Sequence, residues 1–439
     1  MSLPFTILLL LIFSISSSYF TSLGHCKIAR LGIFPKVLKN APDGSQKLKK
    51  SGLEMYYFNQ TLDHFSFTPT SYMTFKQRYT IDFTHWGGAK ANAPILAYLG
   101  GESSLDSSLS AIGFLSDNGS RFKALLIYIE HRYYGKTMPF GSAEEALKNA
   151  STLGYLNAAQ ALADYAAILL HVKEKYSAQH SPIIVIGGSY GGMLAAWFRL
   201  KYPHIAHGAL ASSAPLLYFL DSRPKFGYYY IVTKVFKETS ERCYQTIRKS
   251  WKEIDRVSAK PNGLVILSNK FKTCAPLKGS LDVKRFLGTI YAEVVQYNRG
   301  PGYWLTNMCE AIDANPPDRQ IDILDRIFAG VVATLGKQSC YDINMSTQPK
   351  NVAIAWRWQI CTEMVMPIGY DKQDTMFQTA PFNITSYVDG CKACFGVAPK
   401  PHWITTYFGT QDVKLILRRY GSNLIFSNGL SDPYSVGEF

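Results

Sequence analysis

Ile183-Ile184-Val185-Ile186-Gly187-Gly188-Ser189-Tyr190-Gly191-Gly192-Met193 is the stretch whose reading decides the fold. A β-branched run ends in two glycines, a serine follows, and beyond Gly192 a helix-compatible segment continues from Met193 to Tyr202. Gly-x-Ser-x-Gly between a buried strand and a helix is a nucleophile elbow, a turn so sharp that side chains flanking the serine would collide with neighbouring backbone. Ser189 is the candidate nucleophile. The turn puts the Tyr190 amide at a helix start, where it can donate to a developing oxyanion. A second donor is expected from the loop after the Ile95 to Leu99 strand, with Gly101 or Glu102 as candidates. The plain alternatives are a glycine turn that only packs strand on helix, and a phosphate loop, which here lacks its lysine.

Upstream of the elbow, Ile95 to Leu99 ends at Gly100-Gly101 and Ala124 to Ile129 ends at Glu130-His131-Arg132. Both read as buried strands with functional ends in loops. Asn157 to Tyr176 carries Ala and Leu at helical spacing and reads as a crossover helix. Strand, helix, strand, tight turn and helix is the rhythm of a parallel α/β sheet. Beyond Pro215, amphipathic stretches at Tyr228 to Glu238, Cys243 to Val257, Leu281 to Tyr297 and Ile321 to Leu335 suggest helices inserted as a cap. A β-like pattern is expected to return at Trp403 to Phe408 and at Asn423 to Ser427. The expected fold class is α/β, an α/β-hydrolase core with an inserted helical cap. Its divisions are 1–26 leader, 27–50 basic pro-region, 51–215 first part of the core, 216–395 cap, and 396–439 second part of the core.

In this fold the triad runs in the order serine, acid, histidine. Asp432, after the strand ending at Asn428-Gly429, stands where the acid belongs; an ordinary turn aspartate before Pro433 is the bland reading. None of the nine histidines follows it. His131, beside Glu130 and Arg132, reads as part of a buried polar network rather than a base. His204 and His207 follow the elbow helix and read as packing or surface residues, and His402 precedes the acid. Without its base, a serine of ordinary pKa is a poor nucleophile at neutral pH.

The chain has 439 residues, is 47% hydrophobic and carries a formal charge of +14. Its basic residues are scattered, without a zinc-finger, RNP or basic-zipper pattern, so nucleic acid is not an expected partner. Leu8 to Ile15 is an apolar run before Ser16 to Ser18, too short for a bilayer span, and reads as a secretory signal cleaved between Ser18 and Lys27. No integral membrane segment is expected. Sequons at Asn59, Asn118, Asn149, Asn344 and Asn383 fit an exported glycoprotein of the cell wall, extracellular space, vacuole or lysosome. Seven of the eight cysteines (Cys243, Cys274, Cys309, Cys340, Cys361, Cys391, Cys394) cluster late in the chain and read as disulfides. Cys391-Lys392-Ala393-Cys394 has no second ligand pair at matching spacing, so neither metal nor cofactor is expected.

Leu62-Asp63-His64-Phe65, Gln77-Arg78-Tyr79, Glu130 to Gly135, Gly187 to Trp197, Ala211 to Pro215, Cys361-Thr362-Glu363, Trp403 to Thr406 and Ser427-Asn428-Gly429 with Asp432-Pro433 are more specific than the elbow alone. Over about Tyr57 to Tyr434 the sequence resembles the S28 family of serine peptidases, above all plant members of its lysosomal Pro-Xaa carboxypeptidase branch, to which dipeptidyl peptidase II is related. The resemblance implies Ser189 as nucleophile, Asp432 as triad acid, a disulfide-linked helical cap, and a proline-accepting pocket lined by Met193, Met366, Trp403 and Tyr434. Bland core packing is the alternative for each pocket residue.

The sequence departs from the family pattern at Tyr434, where tryptophan is frequent, and at Gly100-Gly101-Glu102-Ser103, where a Gly-Asn-Glu-Gly loop is usual. Family members continue past the Asp-Pro motif with a strand, a loop carrying the catalytic histidine and a closing helix. A C-terminal strand and helix are therefore expected to be missing, and the odd cysteine count fits either a partner lost with them or a free thiol. The expected function is an exopeptidase acting on proline-containing peptides, weak or inactive in this chain. The alternatives are a dipeptidyl aminopeptidase, with Glu102 gripping a free amine, and a non-catalytic peptide-binding pseudoenzyme. A homodimer is compatible with the sequence.

Overall fold

The structure is a computed structural model that describes residues 52–219, 225–298, 303–314, 322–343, 349–370, 375–409 and 412–438. The expected leader, the basic stretch to Lys50 and the Asn344 sequon lie outside the described residues. Strands β1 (Leu53–Thr61), β2 (Thr74–Asp82), β3 (Ile95–Leu99), β4 (Leu125–Ile129), β5 (Ile183–Gly188), β6 (Ala206–Ser212) and β7 (Leu424–Ser427) form one sheet in the order β1-β2-β4-β3-β5-β6-β7. The pair β1–β2 and its junction to β4 are antiparallel; from β4 to β7 every pairing is parallel. All residues of β3 and β4 are buried, as their unbroken Leu/Ile/Tyr runs require when helices cover both faces.

The core helices are α1 (Leu105–Ala111), α2 (Phe114–Phe122), α3 (Ala158–Lys175) and α4 (Tyr190–Lys201). In α3 the Asn157 side chain caps the first turn by accepting from the Gln160 amide, and Lys173 and Lys175 lie in the last turn, where cations suit the helix dipole. Ala158, Ala161, Leu162, Tyr165, Leu169 and Val172 recur at helical spacing and are buried in the main core.

The insertion is helical, as expected: α5 (Gly227–Thr239), α6 (Glu241–Ser258), α7 (Gly263–Lys270), α8 (Ser280–Gln296), α9 (Trp304–Asp313), α10 (Ile323–Leu335), α11 (Lys350–Thr362) and α12 (Ile384–Phe395). Disulfides Cys243–Cys309, Cys274–Cys340 and Cys361–Cys391 cross-link it. Cys394 is disulfide-bonded too and no described cysteine is free, so the odd count does not signal a lost partner.

One expected strand is a helix. Trp403–Phe408 forms α13, followed by α14 (Val413–Tyr420), and the sheet resumes only at β7. The β-branched and aromatic composition of α13 suggests a strand, but Gly409 at φ 70° closes a helical turn. Helical spacing then stacks Trp403 on Tyr407, with ring centroids 4.9 Å apart, and lays Phe408 on Trp197 at 4.1 Å. No described helix is long and apolar enough to cross a membrane.

Candidate active site

Ser189 sits at φ 55°, ψ −126°, a strained conformation for a residue with a side chain. It is held there by its own amide, which donates to Ser212 O at 2.9 Å, and by its carbonyl, which accepts from the Met193 amide at 3.0 Å. A Cβ on Gly187 would fall 2.0 Å from Gly191 O, and one on Gly191 would fall 2.9 Å from Leu99 O. Glycine is therefore obligatory at both positions, which is the steric reason behind the motif. A Cβ on Gly101 would lie 3.1 Å from Gly191 N, so the loop after β3 rests directly on the elbow. The two oxyanion candidates, Tyr190 and Gly101, are thus brought together.

Register brings Asp432, the expected acid, to the same end of the sheet. Gly188 pairs with Ser212 and Ser212 with Ser427, so the ends of β5, β6 and β7 are level. Asp432 follows β7 as Ser189 follows β5. Its carboxylate accepts from the Tyr434 amide at 2.9 Å. Burial raises its pKa above the usual range, opposed by the Tyr434 amide and the Ser213 side chain.

None of the described histidines stands as a base between them. His131 is buried, with Nδ1 2.6 Å from Arg132 O and Nε2 3.1 Å from the Tyr190 hydroxyl. Burial lowers its pKa to about 4, so it is neutral. Because a carbonyl only accepts, Nδ1 carries the proton and Tyr190 donates to Nε2. His131 is the polar-network residue the sequence suggested. His64 binds Asp164 at 2.8 Å, and Asp164 also accepts from Arg132 at 2.6 and 2.7 Å. His204, His207 and His402 are exposed.

The wiring continues into the insertion through a residue with no sequence signal. Gln359 of α11 donates to the Tyr190 hydroxyl oxygen at 2.9 Å and to Glu363 Oε1 at 3.1 Å, and accepts from the Tyr134 hydroxyl at 2.6 Å. Glu363, which the Cys-Thr-Glu motif marks, accepts from the Ala158 amide with both oxygens and so covers the start of α3. Burial pushes its pKa up to about 8. Glu130 fixes the other flank: it accepts from Arg78, the Leu105 amide, the Lys136 amide and the Thr137 hydroxyl, holding the loop that carries Gly101 and Glu102.

Glu102 is only 3% exposed, its Oε1 has no partner, and burial raises its pKa to about 7. Met193, Met366 and Tyr434 are buried in the main core. Tyr434 meets Tyr218 and Tyr228 edge-on, with centroids 5.7 and 4.9 Å apart, tying the Asp432 turn to α5. Trp403 instead packs with Tyr407 and Phe408, whose neighbours Lys201 and Trp197 belong to the half of α4 away from Ser189. Asn59, Asn149 and Asn383 are exposed, the last two as helix caps; Asn118 is half-buried in α2 and donates to Phe114 O. Among the described residues no His/Cys/Asp/Glu group could hold a metal ion.

The strand order, with the sharp Gly-x-Ser-x-Gly turn between β5 and α4, is that of an α/β-hydrolase. The sequence profile of the serine carboxypeptidase S28 family matches residues 60–438. The chain belongs to that family. As an S28 peptidase it is 36% identical over 411 residues to lysosomal Pro-X carboxypeptidase of Mus musculus, covering 90% of this chain and 81% of that one. The Homo sapiens protein of the same name is 35% identical over 396 residues, covering 87% and 77%. Human thymus-specific serine protease is 29% identical over 425 residues, covering 90% and 78%. Membership makes this S28 chain a serine-type peptidase by family, and its disulfides fit folding on the oxidising secretory route.

Proposed function

We propose that this S28 protein is an exopeptidase of the secretory, vacuolar or lysosomal route that removes the C-terminal residue following a proline. Ser189 attacks the scissile carbonyl, the Tyr190 and Gly101 amides receive the oxyanion, and Asp432 orients the proton acceptor. The reading is supported above all by the register that levels the ends of β5 and β7, which Ser189 and Asp432 follow, in a chain more than one third identical to Pro-X carboxypeptidases. Met193, Met366 and Tyr434 supply the apolar surface that selects a proline ring, which has no amide proton to offer. No described histidine is placed as the base, so turnover by residues 1–439 is expected to be weak.

The experiment is reaction of this polypeptide with a fluorophosphonate probe, with peptide mapping of the adduct, alongside cleavage of Pro-Xaa peptides. Slow labelling confined to Ser189, with trace C-terminal trimming, supports the reading. Rapid stoichiometric labelling overturns the expected weakness, and modification elsewhere overturns the site. Glu102 also motivates a second reading, a dipeptidyl aminopeptidase in which its ionised carboxylate grips a free amine. Blocking the peptide N-terminus would then abolish cleavage.

A further inference from the structure

Strand β1 is a sheet edge with little of its own protection. Among the described residues it pairs only with β2, in an unbroken register from Leu53↔Asp82 to Thr61↔Thr74. Edge strands are usually blunted by lysines, proline or a bulge. β1 has none of these, and its single charge, Glu54, accepts a hydrogen bond from the Tyr56 hydroxyl. Alternation divides its side chains between two faces. Tyr56 stacks on Tyr79 with centroids 5.4 Å apart, Phe58 meets His171 of α3 at 5.1 Å, and Gln60 is buried, so this face belongs to the core. Met55, Tyr57 and Asn59 share the other face. Opposite them on β2, Thr80 and Arg78 are buried, Arg78 being bound to Asp106 of α1 at 2.9 Å, and Lys76 is exposed. The cover supplied by α1 thus stops at β2 and leaves Met55 51% and Tyr57 50% exposed. Asn59, also exposed, ends this strip as the acceptor position of Asn59-Gln60-Thr61. Asn118, by contrast, commits its side-chain amide to Phe114 O, and Asn149 and Asn383 spend their side-chain oxygens on helix caps.

We propose that Asn59 carries an N-linked glycan whose first sugar lies on the Tyr57 ring and shields the edge strand. The disulfides fit folding on the secretory route, where an Asn-x-Thr sequon is a substrate. Asn59 Nδ2 bonds to the anomeric carbon of an N-acetylglucosamine oligosaccharide delivered on a lipid pyrophosphate. The anomeric bond to the pyrophosphate breaks, the lipid pyrophosphate leaves, and Nδ2 gives up one proton. Residues two apart on a strand face are about 6–7 Å from one another, so a sugar turned back along β1 reaches the Tyr57 ring and the next sugar reaches Met55. The pyranose packs a face of C–H bonds on the aromatic ring while its hydroxyls and the Tyr57 hydroxyl stay in water. Placed there, it withdraws apolar surface from solvent and blocks another chain from adding to β1. A second copy of this chain is the competing occupant of the strip. The sequon decides between them, since an oligosaccharide on Asn59 stands in the way of strand-to-strand pairing.

The test is secretion of the full chain from a glycosylating host, with glycopeptide mapping, thermal melting and sedimentation velocity of the unaltered protein, Asn59→Gln, Tyr57→Ser and the double variant. Mapping should show Asn59 occupied. Asn59→Gln should lower the melting temperature by about 1–2 °C, the scale of one stacked ring in a chain of this length, and make the sedimentation coefficient rise with concentration. Tyr57→Ser should lower the melting temperature more when the Asn59 glycan is present than in the Asn59→Gln background, because the two groups are in contact. If Asn59→Gln is not secreted, the comparison is made on folded protein whose glycans are cut back to one N-acetylglucosamine and then removed. The melting temperature is expected to hold at the first step and to fall at the second, and to fall less in Tyr57→Ser. An unoccupied Asn59 overturns the proposal. So do strictly additive effects of the two substitutions, or an equal fall with and without the Tyr57 ring, which put the sugar clear of the strand. Self-association of the intact glycoprotein that Tyr57→Ser abolishes overturns it in favour of a second copy of the chain.

Discussion

Gln359 donates its side-chain amide to the hydroxyl oxygen of Tyr190 across 2.9 Å, joining the inserted helices to the first residue after Ser189. The bond is one link of a buried polar chain that joins Tyr134, Gln359, Glu363, Tyr190 and His131. The insertion therefore helps to hold the Tyr190 amide where an oxyanion would form.

Replacing Gln359 with leucine strands the Tyr134 hydroxyl and removes donors from Tyr190 and Glu363. Orphaned buried groups of this kind cost about 1–3 kcal/mol. Gln359→Leu should lower the unfolding free energy by that amount in urea and slow fluorophosphonate labelling of Ser189. Unchanged stability would mean that these hydrogen bonds are not formed in solution.

Ser189 holds φ 55° against its own Cβ, so the elbow stores strain. Strained non-glycine residues cost on the order of 1–3 kcal/mol, of which glycine gives back part through its looser unfolded state. Ser189→Gly should stabilise the protein by about 1 kcal/mol while abolishing labelling, and Ser189→Ala, which keeps the Cβ, should abolish labelling without the gain. Equal stability of the two variants in urea titrations would argue against strain.

A methyl on Gly101 meets Gly191 N at 3.1 Å, a contact tight enough to displace the loop by a few tenths of an ångström. Loss of one oxyanion donor costs about 100-fold or more in rate, whereas slight overpacking costs about 1 kcal/mol in stability. Gly101→Ala should therefore cut the Ser189 labelling rate far more than it lowers the melting temperature. A proportionate loss of both would place the donor elsewhere in the loop.

Much of this was legible in the sequence because it is local. The runs at Ile95–Leu99 and Leu125–Ile129 can only be buried strands, and the elbow's glycines announce their own steric need. Trp403–Phe408 misled because its residues favour strands singly, while Gly409 and the Trp197 surface decide for a helix. Gln359 was invisible: its partner Tyr190 is 169 residues away, and a glutamine in a helix carries no pattern. The cysteine pairing lay outside spacing for the same reason, since Cys243–Cys309 and Cys274–Cys340 each close 66 residues.

Three buried glutamates give stability a definite sign in pH. Glu102 is raised from 4.5 to about 7, and Glu363 and Glu438 to about 8, all chiefly by burial, so between pH 4.5 and 8 the folded state keeps protons that the unfolded chain has released. Their contribution is greatest below pH 4.5 and is lost as pH rises through the folded values. His131 acts oppositely: lowered from 6.5 to about 4, it makes stability rise with pH over that interval and then stops contributing. Above pH 6.5 the decline is unopposed. Urea unfolding should thus show a lower free energy at pH 8.5 than at 6.5, by several kcal/mol at most, since one pKa unit is worth about 1.4 kcal/mol. Glu363→Gln, which removes one of the three titrations, should reduce the drop. A free energy that climbs between pH 6.5 and 8.5 would mean that these carboxyls ionise freely in the folded protein.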